Sequence, residues 1–258
     1  MKTYLKRLLI PILSGLIVCS FYSCDSDDEH TATPIAPILK EIKFPSENDI
    51  IPGQVAQING LGFAKEDIVY LIIRERMGDY RFSHSVNVAK EAKKLAKHYG
   101  ADENKAEIAG ILHDITKEMP KEQQLQIIID SGIILDNVQL HAPKLWHGMS
   151  GSIVVRDELG IDDEDILNAI RYHTTGRAGM SLLEKVIFTA DFTSEERTYS
   201  GVATMRKKSK KSLEEAMLYG YQFTFKDLSK RQLAIHPDEV ACYNEIVLQI
   251  SQTKGKNK

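Results

Sequence analysis

From about residue 77 to residue 250 one pattern repeats and limits what the chain can become. Apolar residues recur at three- and four-residue spacing, opened by capping side chains and closed by glycine or proline. Ser83–Tyr99 places Val86, Ala89, Ala92 and Ala96 on one helical face and stops at Gly100. A second helix opens at Asp102, carries Ala106, Ile108, Ala109, Ile111 and Leu112, and ends in the adjacent pair His113 and Asp114. Pro120 suits the first turn of a third, running through Ile129. Further helices are predicted over Trp146–Leu159 before Gly160, over Asp162–His173, over Leu182–Phe192 behind a Ser181/Glu184 capping box, over Leu213–Lys230 behind a Ser212/Glu215 box, and over Asp238–Ile250 after Pro237. The expectation is an all-α domain over residues 76–250, followed by a disordered tail at 251–258.

Ahead of that domain the grammar differs. Lys2, Lys6 and Arg7 precede an apolar stretch from Leu8 to Val18, and Cys24 closes the segment before an acidic run. This layout resembles a bacterial lipoprotein leader over residues 1–24, which implies a cell-envelope location and an acylated Cys24. The apolar stretch is shorter than the roughly 20 residues that span a bilayer. Residues 25–45, rich in Thr, Pro and Ala, read as a tether. In residues 46–73, Val55, Gln57 and Ile58 alternate around turn-forming glycines, and Asp67–Ile73 is β-rich, so a short β segment is expected. It resembles the opening strands of an immunoglobulin-like IPT/TIG module. Gly60 and Gly62 lack the third glycine and following helix of a nucleotide loop.

Composition removes several classes of partner. With 258 residues, 43% hydrophobic and 27% charged, and a net charge of -3, the chain calls for neither nucleic acid nor an anionic membrane surface. The run from Arg206 to Lys211 is a short solvated linker or helix face. Cys19 and Cys24 fall in the leader and only Cys242 in the body, so no internal disulfide framework is available. Cys242 reads as a buried small side chain, and the body suits a reducing compartment. That expectation pulls against the leader: a cytoplasmic catalytic body is expected if residues 1–73 are a fusion.

The chemistry-bearing residues stand at helix ends. His84, His113, His147 and His173, with Asp114 and Asp191, come from separate helical segments, and metal sites in helical bundles collect one or two inward groups from each of several helices. Imidazole with carboxylate suits iron, manganese, zinc or nickel more than a thiolate-seeking ion. Six donors exceed what one catalytic ion uses if it also keeps water, so two ions about 3.5–4 Å apart, bridged by Asp114, fit better. Lys117 and Arg177 are candidate phosphate clamps and Arg81 a further one. Asp130, His98, His141 and His236 read as structural or surface residues, His141 being the rival to His147 as ligand.

His84, His113-Asp114 and Asp191 resemble the HD superfamily of metal-dependent phosphohydrolases. The wider context is similar to the YqeK branch of symmetrical bis(5′-nucleosyl)-tetraphosphatases: Tyr80 to Val86, His113 to Lys117, Leu145 to Gly148, Ala169 to Arg177 and Thr189 to Phe192. His147 and His173 distinguish that branch from the four-ligand core. The resemblance implies an HD-domain helical bundle, a di-iron centre, and hydrolysis of diadenosine tetraphosphate to two ADP. The residue types then make Asp114, Lys117 and Arg177 the expected catalytic set and Arg81, Lys117, Thr174, Gly176 and Arg177 the expected substrate-binding set, with room left for a homodimer. Thr193 to Arg197 departs from the common pattern Ile-Glu-Pro and then Arg, which leaves the role of Arg197 open. Guanosine polyphosphates, deoxynucleotides or cyclic dinucleotides are alternative substrates. An envelope binding module with an inert helical part is the alternative of another class.

Overall fold

The computed structural model describes residues 65–255, all within a unit that begins at Ala64. No strand occurs among these residues. The helices are α1 (Lys65–Arg76), α2 (Asp79–Tyr99), α3 (Glu103–Leu112), α4 (Lys121–Asp130), α5 (Asn137–Leu140), α6 (Trp146–Leu159), α7 (Glu164–Arg171), α8 (Leu182–Thr193), α9 (Val202–Ser209), α10 (Leu213–Lys230) and α11 (Pro237–Gly255), with a 3₁₀ turn, Pro143–Leu145, before α6. The leader, the tether and the β segment as far as residue 64 lie outside the described residues, as do residues 256–258.

Local capping chemistry sets most boundaries. The Asp102 carboxylate accepts from the Asn104 and Lys105 amides and starts α3. Ser181 and Glu184 close a reciprocal box on α8. The second predicted box is half made: Ser212 accepts from the Glu215 amide, while the Glu215 carboxylate turns to Lys208 at 3.5 Å. α7 is shorter than Asp162–His173, because Asp163 caps it and Tyr172 ends it, so His173 stands in the turn beyond.

Two expectations fail at the edges of the domain. Asp67–Ile73, read as β-rich, lies inside α1. Its β-branched run fits a strand by local propensity, but Val69 and Ile73, four residues apart, are both buried and α1 packs on α3, and such tertiary burial overrides a weak local preference. The helical body therefore starts near residue 65 rather than 76. At the other end α11 runs through Gly255, so residues 251–255 are helical rather than a loose tail.

α8 is the hub of the fold, packing on α2, α3, α7, α9 and α10. It buries Leu183, Val186, Ile187, Phe188 and Ala190. Two close backbone approaches then decide where the helix ends meet. A Cβ at Gly110 would lie 2.7 Å from Ala89 Cα, so glycine lets α3 lie directly on α2. A Cβ at Gly148 would lie 2.7 Å from the Arg171 carbonyl oxygen, so glycine lets the start of α6 touch the end of α7. The first approach brings His113 to His84 and the second brings His147 to His173. No helix among the described residues is long and apolar enough to cross a membrane.

Candidate metal centre

Three histidines are aimed the same way. His113, His147 and His173 each set Nδ1 on a backbone carbonyl three residues earlier, Gly110, Lys144 and Ile170, at 2.7, 2.8 and 2.7 Å. A carbonyl only accepts, so each Nδ1 carries the hydrogen and each Nε2 presents a bare lone pair. His84 is oriented from outside the cluster by Glu196, whose Oε1 lies 2.5 Å from Nδ1. The Nε2 atoms converge: 3.3 Å between His113 and His84, and 3.1 Å between His147 and His173.

The acidic members enter between them. Asp114 Oδ1 lies 3.2 Å from His147 Nε2 and 3.6 Å from His173 Nε2, and Oδ2 lies 3.4 Å from His113 Nε2. Asp191 Oδ1 lies 3.1 Å from His84 Nε2 and 3.9 Å from His113 Nε2. The four imidazoles and Asp114 are between 0 and 2% exposed. Two adjacent donor groups result, His84–His113–Asp191 and His113–Asp114–His173, each with its ligand atoms within 4.8 Å of one another and both using His113.

Burial and charge push these groups toward ligand-ready forms. Burial holds His113 below its usual value, and holds His147 well below with the help of the His173 and Lys117 charges. Burial opposes ionisation of Asp114, yet His113, His173 and Lys117 hold its carboxyl well below the usual range. Asp191 is likewise held down against its burial, by His84 and Arg197. His84 moves the other way: burial lowers it, but hydrogen bonds to Asp191 and Glu196 prevail and raise it. Burial also works against Glu196, whose bonds with His84, Ser194 and Asn87 bring it to about 2.

Residues 81–196 match the HD domain family. The symmetrical bis(5′-nucleosyl)-tetraphosphatase of Bacillus subtilis (strain 168) is 42% identical over 178 residues, which is 68% of this chain and 94% of the relative. The chain belongs to the HD-domain tetraphosphatase family. The enzyme of the same name from Staphylococcus aureus is 33% identical, over 67% of this chain and 90% of its own. A crystal structure from Clostridium acetobutylicum, described as an HD superfamily hydrolase involved in NAD metabolism, aligns with a TM-score of 0.70 at 36% identity, over 71% of this chain and 97% of that one.

An HD domain holds a divalent metal, and this donor set fits one. Asp114 Oδ1 is buried without a hydrogen-bond partner, and imidazole lone pairs 3.1–3.3 Å apart repel unless a cation lies between them. Around the HD centre stand three cations. Arg81 Nη1 lies 2.6 Å from Asp114 Oδ2. Lys117 Nζ lies 2.9 Å from His147 Nε2 and 3.6 Å from Asp114 Oδ1. Arg197 pairs through Nη2 with the Asp191 carboxylate and donates from Nε to the Asp191 carbonyl at 2.8 Å.

The remaining sequence candidates make contacts of their own. The Arg177 fork grips Glu184 at 2.8 and 2.6 Å, and its guanidinium lies over the Tyr172 ring, so this candidate phosphate clamp is paired with a buried carboxylate. A Cβ at Gly176, at φ +63, would meet the Tyr221 hydroxyl at 2.1 Å, so packing by itself requires glycine here. Thr174 is half-buried in the same loop, with no hydrogen bond from its side chain among the described residues. His141 is exposed with Nδ1 on the Asn137 carbonyl, His98 reaches the Lys210 carbonyl, His236 accepts from the Asp238 amide, and Asp130 accepts from Gln126. Sequence reasoning missed Glu196, which meets His84 only across more than a hundred residues of chain, and Asn87, which donates to Glu196 across a similar span. The departure at Thr193 to Arg197 was the one signal pointing to that loop.

Proposed function

We propose that this chain hydrolyses diadenosine tetraphosphate symmetrically, adding water to an inner phosphorus and breaking its bond to the central bridging oxygen, so that two ADP leave. The observation that carries the proposal is the buried ring of inward-facing Nε2 atoms around the unpartnered Asp114 Oδ1. The curated relatives at 42 and 38% identity, both named symmetrical bis(5′-nucleosyl)-tetraphosphatase, supply the substrate class.

His84, His113 and Asp191 would hold one ion, and Asp114, His147 and His173 a second; imidazole and carboxylate without thiolate suit iron, manganese, zinc or nickel, and the family resemblance favours iron among them. When bound, a divalent metal supplies Lewis acidity toward phosphoryl oxygen and toward water. The chain's own share is positioning and charge. Lys117 and Arg81 lie at the mouth of the cluster, 31 and 19% exposed, where each can leave Asp114 for a phosphate oxygen. Phosphoryl transfer depends on such placement of cations more than on covalent chemistry. Arg197, 31% exposed, stands on the Asp191 side in the same way.

The test is a nucleotide panel presented to the iron-loaded full chain, with products separated by ion-exchange chromatography. ADP as the sole product from diadenosine tetraphosphate is expected. ATP with AMP would overturn the symmetrical cut. Turnover of a guanosine polyphosphate, deoxynucleotide or cyclic dinucleotide with diadenosine tetraphosphate left intact would overturn the substrate.

A further inference from the structure

His84 is the one histidine of the cluster whose Nδ1 rests on a carboxylate instead of a backbone carbonyl. The Glu196 carboxylate meets the edge of the ring opposite to the one that faces Asp191, so it lies outside the donor cluster. It is itself held from two further sides: Asn87 Nδ2 donates to Oε2 at 2.9 Å and Ser194 Oγ donates to Oε1 at 2.7 Å. Asn87 lies on α2, nearly one turn beyond His84, so ring and carboxylate are referred to the same helix.

The loop bearing Glu196 has its own anchor. Arg206 on α9 donates from Nε to the Thr193 carbonyl at 3.0 Å, and from Nη2 to the carbonyls of Ser194, Glu195 and Arg197 at 2.6, 3.1 and 3.1 Å. One side chain thus closes over the backbone on both sides of Glu196, in the segment where the chain departs from the Ile-Glu-Pro pattern.

We infer that Glu196 is the positioning residue of His84: it takes the Nδ1 hydrogen, fixes the tautomer that leaves Nε2 bare, and holds the ring toward the metal, while Asn87, Ser194 and Arg206 hold Glu196. A carboxylate behind a ligating imidazole fixes ring orientation and raises the basicity of the far nitrogen, and losing such a partner costs about 10–100-fold in metal affinity or activity. The inference rests on the metal reading given above and concerns metal retention rather than the nucleotide.

The test compares the full chain with Glu196→Ala, Glu196→Gln and Asn87→Ala by competition against a chelator, without nucleotide, so a wrong substrate assignment cannot affect the outcome. Glu196→Ala is expected to weaken metal retention about 10–100-fold with little change in the melting temperature of the metal-free protein. Glu196→Gln, whose amide oxygen still accepts from Nδ1, should recover most of that loss, and Asn87→Ala should lose only a few-fold. If the alanine variant melts early, the other two carry the comparison: near-wild-type retention in Glu196→Gln with a few-fold loss in Asn87→Ala is expected, and wild-type retention in Asn87→Ala or a loss of about 10-fold or more in Glu196→Gln would overturn the inference. Wild-type retention in all three variants would overturn the inference. So would a Gln variant as weak as Ala, because charge rather than placement would then be the cause.

Discussion

The histidine cluster and the packing beneath the 174–180 loop both draw in polar side chains, and they differ in whether each group finds a partner. Under the loop Arg177 grips Glu184 with two bonds, the Tyr221 hydroxyl donates to the Thr175 carbonyl at 2.8 Å, and Ser181 Oγ donates to Asp165 at 2.5 Å. In the cluster, Asp114 Oδ1 has no such partner and imidazole nitrogens face each other lone pair to lone pair. A folding chain has no reason to keep the second arrangement for stability, since an unmet buried polar atom costs about 1–3 kcal/mol. Beneath the loop the polar groups satisfy one another. Unsatisfied donors converging on one point mark the cluster as a place for a ligand.

Asp114→Ala should show the contrast at its widest. Hydrolysis is expected to fall by about 10³-fold or more and metal to be lost, while the helical circular dichroism of the metal-free protein stays as it was. Metal analysis and initial rates on the same preparation check it, and wild-type metal content in the variant would remove the distinction between the two regions.

The opposite outcome is expected at Arg177. Arg177→Ala leaves Glu184, 1% exposed, without its cation, at a cost on the order of 3 kcal/mol, read as a lowered denaturant midpoint. Metal content of the folded variant should match wild type. A variant that keeps its stability and loses kcat/KM instead would return Arg177 to the substrate.

How far each region could be read in advance follows from the range of its interactions. Caps and helix ends act within a few residues, so the Gly160 end of Trp146–Leu159 and the Ser212 start of Leu213–Lys230 fall where their capping residues predict. The six candidate ligands could be picked out because histidine and aspartate at helix ends are chemically conspicuous wherever the chain later carries them. α1 could not, because what makes Val69 and Ile73 helical is burial against α3, some forty residues on. The partner of Arg177 was hidden for a related reason: a guanidinium beside a glycine loop suits a phosphate, and only the folded structure shows Glu184 already in its fork. Glu196 and Asn87 are ordinary surface types until they are seen 2.9 Å apart behind His84.

One group in the satisfied region breaks its rule, and it gives the smallest and sharpest test. Glu239, one turn before Cys242 on α11, is 4% exposed and its Oε2 has no hydrogen-bond partner. Burial pushes its carboxyl up from 4.5 to about 7, with a backbone hydrogen bond at His236 opposing. The folded protein therefore keeps a proton that the unfolded chain releases. Stability from this group is complete below pH 4.5, falls as pH rises toward about 7, and is gone above it. Glu239→Gln keeps the shape without the charge, so it should raise stability at pH 8 by about 1–3 kcal/mol and change little near pH 4.5, as read by urea midpoints at the two values. Equal stabilisation at both would mean that shape, not the proton, decides. Asp114 and Glu239 are thus two answers to one problem: a lone buried carboxyl with no cation near it keeps its proton, whereas Asp114, among imidazoles with Lys117 and Arg81 beside it, is held ionised.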